Sequence, residues 1–243
     1  AEYAAVVRRL SGFTAHMEEV DAKESAVALS KSSGGLEVEG LCVSLPDGTE
    51  LLKDCSFSLA PGEALLVTGA SGAGKSTLLR ALAGLWPFAH GRAAFPADEK
   101  RLFLSQRPYL PLGTLARAVA YPLTAQGPRE EMERALRLVG MEDFLVRLDE
   151  VADWSHILSL GEQQRIAFAR VLLVRPAWAF LDEATSALDE AREKELYEML
   201  ARELPEMGVV SVGHRSTLRG QHGRELHLSG AGGFTTHVLA AST

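Results

Sequence analysis

From Leu36 onward the apolar and polar positions fall into short, regular patterns. LEVEGLCVSL alternates apolar and polar residues, as a half-buried strand does, and LLKDCSFSL alternates again after the turn signal Pro46-Asp47-Gly48. The two runs predict an antiparallel hairpin. ALLVT (64–68) is continuously apolar, the pattern of a parallel strand covered on both faces. A glycine-rich stretch and then a helical one, STLLRALAGL, follow it. Helical periodicity recurs at 129–139, where Met132, Ala135, Leu136 and Val139 share a face and Gly140 stands at the end, and again at 161–174 and 189–203. Strand-like runs recur at RLFL (101–104), WAFL (178–181) and GVVSV (208–212), and residues 230–243 read as a final strand and tail. Strands alternating with helices predict an α/β fold with a mostly parallel sheet.

The first 35 residues are different. Tyr3, Val6, Leu10, Phe13, Met17 and Val20 are spaced by threes and fours, as on one seam of a helix that packs on a partner. Residues 21–35 are small and polar and end in Ser-Ser-Gly-Gly, the composition of a linker. The reading divides the chain into 1–35, an appended helix plus linker, and 36–243, one domain. Composition narrows the function classes. Hydrophobic residues make up 47% of the 243, enough for a sizeable core, and a net charge of −7 argues against a nucleic-acid partner. The two cysteines, Cys42 and Cys55, have no metal-ligand spacing and fit a reducing compartment. There is no apolar run of membrane-spanning length, and the start, AEYAAVV, has neither Met nor a leader's apolar core, which suggests an excised piece of a longer chain.

Two clusters carry chemistry. Gly69-Ala70-Ser71-Gly72-Ala73-Gly74-Lys75-Ser76, followed by Thr77, fits G-x-x-x-x-G-K-[ST] between a predicted strand and a predicted helix. Glycines let successive backbone N–H groups turn toward phosphate oxygens, and the helix N-terminus adds a partial positive charge. Lys75 is expected to reach the β- and γ-phosphates and the Ser76 hydroxyl to ligate Mg²⁺. Alone, the motif marks a P-loop nucleotide hydrolase and no more. The second cluster, Trp178-Ala179-Phe180-Leu181-Asp182-Glu183, is an apolar strand ending in two acids, where α/β sheets bind ligands. Asp182 would hold Mg²⁺ through water, and Glu183 would orient or deprotonate the attacking water. Without the phosphate loop, the acid pair would read as helix-capping residues.

Leu158-Ser159-Leu160-Gly161-Glu162-Gln163-Gln164-Arg165 resembles the signature motif of ABC proteins, whose common form is Leu-Ser-Gly-Gly-Gln. It stands shortly before the acid pair, as in that family. The resemblance covers residues 36–230 and implies a RecA-like P-loop NTPase core, an antiparallel β subdomain and an inserted α-helical signature subdomain. It implies ATP and Mg²⁺ as ligands. It places Ser159, Gly161 and Glu162 at a helix start that meets the phosphates held by a second subunit's loop, so that two copies sandwich two ATP molecules. Gln106 looks like the glutamine that contacts Mg²⁺ and senses a transmembrane domain. Ser186-Ala187-Leu188-Asp189 looks like the loop facing the partner, with Asp189 near nucleotide, and His214 looks like the switch histidine on the γ-phosphate. One position departs: Leu45 stands where the family usually stacks an aromatic ring on adenine.

Narrower strings, Gln106 to Leu115 with Tyr121-Pro122, LSLGEQQR, FLDEATSALD and SVGHRSTL, resemble the branch containing the peroxisomal subfamily D fatty-acyl transporters and bacterial relatives that import peptides or cobalamin. That resemblance implies an ATP-hydrolysing transporter domain working as a homodimer and powering movement of a substrate. It implies a transmembrane domain fused upstream, whose last helix would end in residues 1–20, and a place on the cytoplasmic face of a membrane; the Ala/Arg/Leu/Gly-rich usage points to a bacterial inner membrane. Two other readings compete. A soluble ABC ATPase of DNA repair or translation would carry a long coiled coil or tandem cassettes, and neither occurs here. An ATP-binding regulatory module would lack Glu183 or His214, and both are present.

Overall fold

Successive side chains of a strand point to opposite faces, and in this chain both faces of the main sheet are apolar. A computed structural model describes residues 11–12, 27–32, 34–96, 100–124 and 127–239. In chain order the elements are β1 (Val27–Ser32), β2 (Leu36–Ser44), β3 (Glu50–Leu59), β4 (Ala64–Gly69), α1 (Lys75–Leu82), β5 (Ala89–Pro96), β6 (Arg101–Leu104), β7 (Gly113–Thr114), α2 (Leu115–Ala120), α3 (Arg129–Leu138), β8 (Val151–Ala152), α4 (Trp154–Ile157), α5 (Leu160–Val174), β9 (Trp178–Asp182), α6 (Glu190–Glu203), β10 (Gly208–Val212), β11 (Arg224–Gly230) and β12 (Gly233–Val238). Short 3₁₀ turns cover Glu142–Arg147 and Ser216–Gln221.

The six-stranded sheet runs β12-β11-β4-β10-β9-β6. All its pairs are parallel except β11–β12, so five strands send their carboxyl ends to one edge. Leu65 and Val67 of β4, Trp178 and Phe180 of β9, and Val210 and Val212 of β10 enter one buried cluster with α1 and the hairpin. Leu66, Ala179, Leu181 and Val209 enter the other, with α2, α3, α5 and α6. α5 is buried on nearly every side, and its Ile166, Ala167, Phe168, Ala169 and Val171 are fully covered. The smaller sheet, β1-β5-β2-β3, contains the expected antiparallel hairpin. The segment between β6 and β9 holds α2 to α5, with β7 and β8 paired antiparallel. This is the expected α/β architecture of P-loop core, β subdomain and helical insertion.

The linker expected at 21–35 gives way, over residues 27–32, to strand. β1 pairs in parallel with β5 through six residue pairs, from Val27 with Gly91 to Ser32 with Pro96. Only Val27 of β1 is fully buried, so its sequence carries little of the alternation that marks a half-covered strand. The free edge of β5 supplies the backbone partners that its composition does not announce. The seam at 1–20 lies outside the described residues, apart from the helical Ser11 and Gly12.

Candidate active site

The carboxyl ends of β4 and β9 bring the two sequence clusters together. Gly69 closes β4 with φ 140°, and Gly74 precedes α1 with φ 97°. A Cβ on Gly69 would lie 2.4 Å from the Leu228 carbonyl oxygen, and one on Gly74 2.9 Å from Leu51 Cβ. Backbone conformation and packing therefore both require glycine at these two positions. α1 begins at Lys75 with no side-chain cap and no acid in its first turn. Its first N–H groups are left for an anion, which is the electrostatic character a phosphate needs. The Lys75 ammonium folds back and donates to the carbonyls of Gly69 (3.0 Å) and Ala70 (2.9 Å). It thereby spans the loop with its cation, and its burial lowers its pKa against the pull of Glu183 and Asp182.

Ser76 donates to Asp182 Oδ1 at 2.7 Å, which joins a hydroxyl and a carboxylate as a pair of hard oxygen donors. That donor set suits Mg²⁺, which takes oxygen ligands and keeps several waters. Burial raises the Asp182 pKa, and Glu183 adds to it, while Ser76, Arg80 and Lys75 oppose it. A bound dication would supply the missing countercharge.

Glu183 stands one residue past β9 with φ 50°. Such a conformation is costly for a side-chain-bearing residue and is held here by its surroundings. The Glu183 N–H donates to the Val212 carbonyl (3.1 Å) and Ser186 N–H donates to the Glu183 carbonyl (3.1 Å). Its carboxylate is met from two sides. Gln106 Nε2 donates to Oε2 at 3.1 Å, and His214 Nε2 lies 3.1 Å from Oε1. Glu183, His214, Lys75 and Gln106, each singled out in the sequence, thus converge beside the phosphate loop.

The signature residues form a separate group. Ser159 caps α5 in a reciprocal box: Glu162 N–H donates to Ser159 Oγ (3.3 Å), and Ser159 N–H and Oγ donate to Glu162 Oε2 (2.8 and 2.7 Å). Gly161 faces the loop before α6, where a Cβ would come 3.3 Å from the Ala187 carbonyl oxygen and 3.2 Å from Leu188 Cδ2. Asp189 caps α6 by accepting from Arg192 N–H at 2.8 Å, and that bond lowers its pKa. Ser159, Gly161, Glu162 and Asp189 line one shallow polar cleft. Leu45 sits at the hairpin turn, half-buried against the core. Its N–H donates to Thr49 O and its carbonyl accepts from Gly48 N–H.

Sequence reasoning passed over the residues that tie these loops together. Glu193 is buried and accepts from Thr185 Oγ1 (2.6 Å) and Thr217 Oγ1 (2.7 Å). Arg215 donates to the carbonyls of Leu188 (2.6 Å) and Ser186 (3.2 Å). Gln164 is fully buried. A glutamine amid the apolar positions of α5 was the available signal, since a buried amide must find partners.

The sequence profile of the ABC transporter family matches residues 52–186. The chain belongs to the ABC transporter family. An uncharacterised ABC transporter ATP-binding protein of Haemophilus influenzae is 42% identical over 224 residues, covering 92% of this chain and 38% of that protein. The lysosomal cobalamin transporter of Homo sapiens is 40% identical over 80% of this chain and 34% of its own length. The chloroplastic ABC transporter D family member 2 of Arabidopsis thaliana is 36% identical over 81% and 35%. The structure of a bacterial Atm1-family ABC exporter with ATP bound matches with a TM-score of 0.73 at 26% identity, covering 85% of this chain and 39% of that one. The chain thus spans 34% to 38% of the length of these three relatives. It is an ABC transporter ATP-binding domain, an ATPase domain with subfamily D members among its relatives. No helix among the described residues is long and apolar enough to cross a membrane.

Proposed function

We propose that the chain hydrolyses ATP as one half of a sandwich of two copies, and that this powers transport through a membrane domain fused upstream. The observation that carries the catalytic part is the meeting of Gln106 and His214 on the two oxygens of Glu183, beside Lys75 and Ser76. The loop Gly69 to Gly74, the Thr77 turn of α1 and Lys75 bind the phosphates. The Lys75 ammonium exchanges the Gly69 and Ala70 carbonyls for phosphate oxygens. Ser76, Asp182 and Gln106 would hold Mg²⁺, which would neutralise charge on the leaving phosphates. Glu183 accepts the proton of the attacking water, and Gln106 and His214 fix the carboxylate and sense the γ-phosphate.

The signature end of α5 is the second half of the site. Ser159, Gly161 and Glu162, with Asp189 nearby, face the phosphates on the other copy, so the γ-phosphate holds the pair closed and its loss lets it open. The Gln106–Leu115 loop carries closure to the membrane domain. The homodimer, the upstream fusion and the bacterial inner membrane rest on the sequence resemblance and on the partial coverage of longer transporters. The soluble DNA-repair or translation reading finds no support in the segment between β6 and β9, whose longest described helix is the 15-residue α5.

The test is Glu183→Gln. The variant is expected to lose more than about a hundredfold in turnover while gaining an ATP-dependent dimer visible by light scattering. Normal turnover in the variant would remove Glu183 from the base role, and a monomer at all ATP concentrations would remove the sandwich.

A further inference from the structure

We infer that Gln164 is a positioning residue for hydrolysis, a buried side chain that locks the signature helix, the Gln106 loop and the Ser186–Ala187 loop into one geometry. Gln164 lies in α5, little more than one turn beyond Ser159, and is fully buried. Its Nε2 donates to the Gln106 carbonyl at 2.8 Å and to Ser186 Oγ at 3.1 Å, and its Oε1 accepts from Ala187 N–H at 3.0 Å. The amide orientation is fixed by chemistry. Rotating it by half a turn would set oxygen against the Gln106 carbonyl oxygen and NH₂ against the Ala187 N–H.

Each partner belongs to a segment with its own task in the proposed mechanism. Gln106 is bonded by its backbone to Gln164 and by its side chain to Glu183 Oε2. Ser186 and Ala187 open the loop that leads to Asp189, and Ser186 N–H donates to the Glu183 carbonyl. Gln164 therefore reaches Glu183 by two routes, the carboxylate through the Gln106 side chain and the backbone carbonyl through Ser186, and its own Nε2 lies 3.5 Å from that carbonyl. Arg170, further along the same helix, donates to the Tyr109 carbonyl at 2.8 Å and to the Ala118 carbonyl at 3.1 Å through Nε. The loop after β6 is thus pinned to α5 at both its beginning and its middle. When Ser159 at the head of α5 engages a phosphate, the shift of the helix passes through a buried amide to Gln106, and through Gln106 to Glu183. A buried amide bonded at both ends transmits such a shift because it cannot yield without leaving partners unpaired.

The inference rests on the reading of Gln106 and Glu183 given above, and the experiment separates the two. Gln164→Leu and Gln164→Met keep the volume and remove every hydrogen bond, Met being the more forgiving in packing. Steady-state hydrolysis of MgATP and melting temperature are measured for both, beside the unaltered chain and Glu183→Gln. Both variants are expected to fold and to lose roughly 10–100-fold in kcat, because small misplacements of a reacting group have that effect. Apparent KM for ATP should stay within about threefold, since no ground-state contact to nucleotide is removed. If Glu183→Gln is inactive and either folded Gln164 variant keeps kcat within about twofold of the unaltered chain, Gln164 does not position the site and the inference falls, while the reading of Glu183 stands. A rise in KM that accounts for the whole loss also overturns it, because Gln164 would then serve nucleotide binding alone. Active Glu183→Gln would instead strike the underlying reading.

Discussion

His222 is held with its imidazole against the Tyr197 ring, Nδ1 donating to the Leu218 carbonyl at 2.7 Å, and Nε2 buried without a partner among the described residues. Burial lowers its pKa to about 4, the Leu218 bond opposing the shift. The folded state therefore keeps His222 neutral in a range where the unfolded chain, near 6.5, takes up a proton. Protons bind preferentially to the unfolded form, so stability should decline as pH falls from about 6.5 toward 4, by on the order of 3 kcal/mol in the limit. Urea denaturation at stepped pH values measures the slope, and His222→Phe should flatten it while keeping the edge contact to Tyr197. An unchanged slope would assign the acid sensitivity to other groups. Nothing in the local pattern marks this residue as buried, because a histidine flanked by Gly220-Gln221 and Gly223 reads as exposed. Lys75 and Ser76 were legible from the phosphate-loop motif and Asp182 and Glu183 from their place at the end of an apolar strand, whereas Gln106 and His214 were placed by the family resemblance alone. Glu193 stands in no motif and Gln164 has no role assigned within the signature string; what makes them matter is a set of partners distant in sequence.

Elements were legible where apolar residues repeat in a pattern, whether one face is covered or both. β2 and β3 alternate because one face is buried, with Leu36, Val38, Leu41 and Val43 inward. β4, β9 and β10 are continuous apolar runs because both faces are. β5 was missed, since its AHGRAAFP buries small alanines that carry little pattern. α2 was missed as a six-residue helix whose start depends on Thr114 accepting from Arg117 N–H. β10 offers a sharp check on how the parallel strands fit. Gly208 pairs with Trp178, and a Cβ there would lie 2.1 Å from Trp178 Cζ3, inside a fully buried ring. Gly208→Ala should cost about 1–3 kcal/mol through overpacking, lowering the melting temperature by roughly 2–10 °C for a chain of this size. Adding Trp178→Leu should recover part of the loss. Full stability of the single variant would show that the ring moves freely and that β9 and β10 are less tightly matched than their register implies.

At the scale of the whole molecule, the two apolar clusters share the six-stranded sheet, each taking alternate residues of β4, β9 and β10. Neither can be lost while the other keeps its floor, which favours one cooperative transition. The phosphate loop joins β4 to α1 at the sheet edge, so nucleotide should stabilise both halves together. At about 100 times its dissociation constant, ATP with Mg²⁺ should add about 2.7 kcal/mol. That corresponds to roughly 5–10 °C in melting temperature. Calorimetry with and without MgATP measures it, and two separate transitions, of which only one shifts, would contradict a shared sheet as the unit of stability.

The strand β1 has a mechanical consequence. Its six pairs with β5 are parallel and in unbroken register. A pull on the backbone along the β1 axis loads those rungs side by side, in shear, whereas a pull across the axis would open them one after another like a zipper. Force arriving from residues before Val27 along that axis is therefore carried by the whole ladder into β5 and on to β2 and β3, rather than dissipated at a slack joint. A segment whose letters read as a tether is built as a stiff strap.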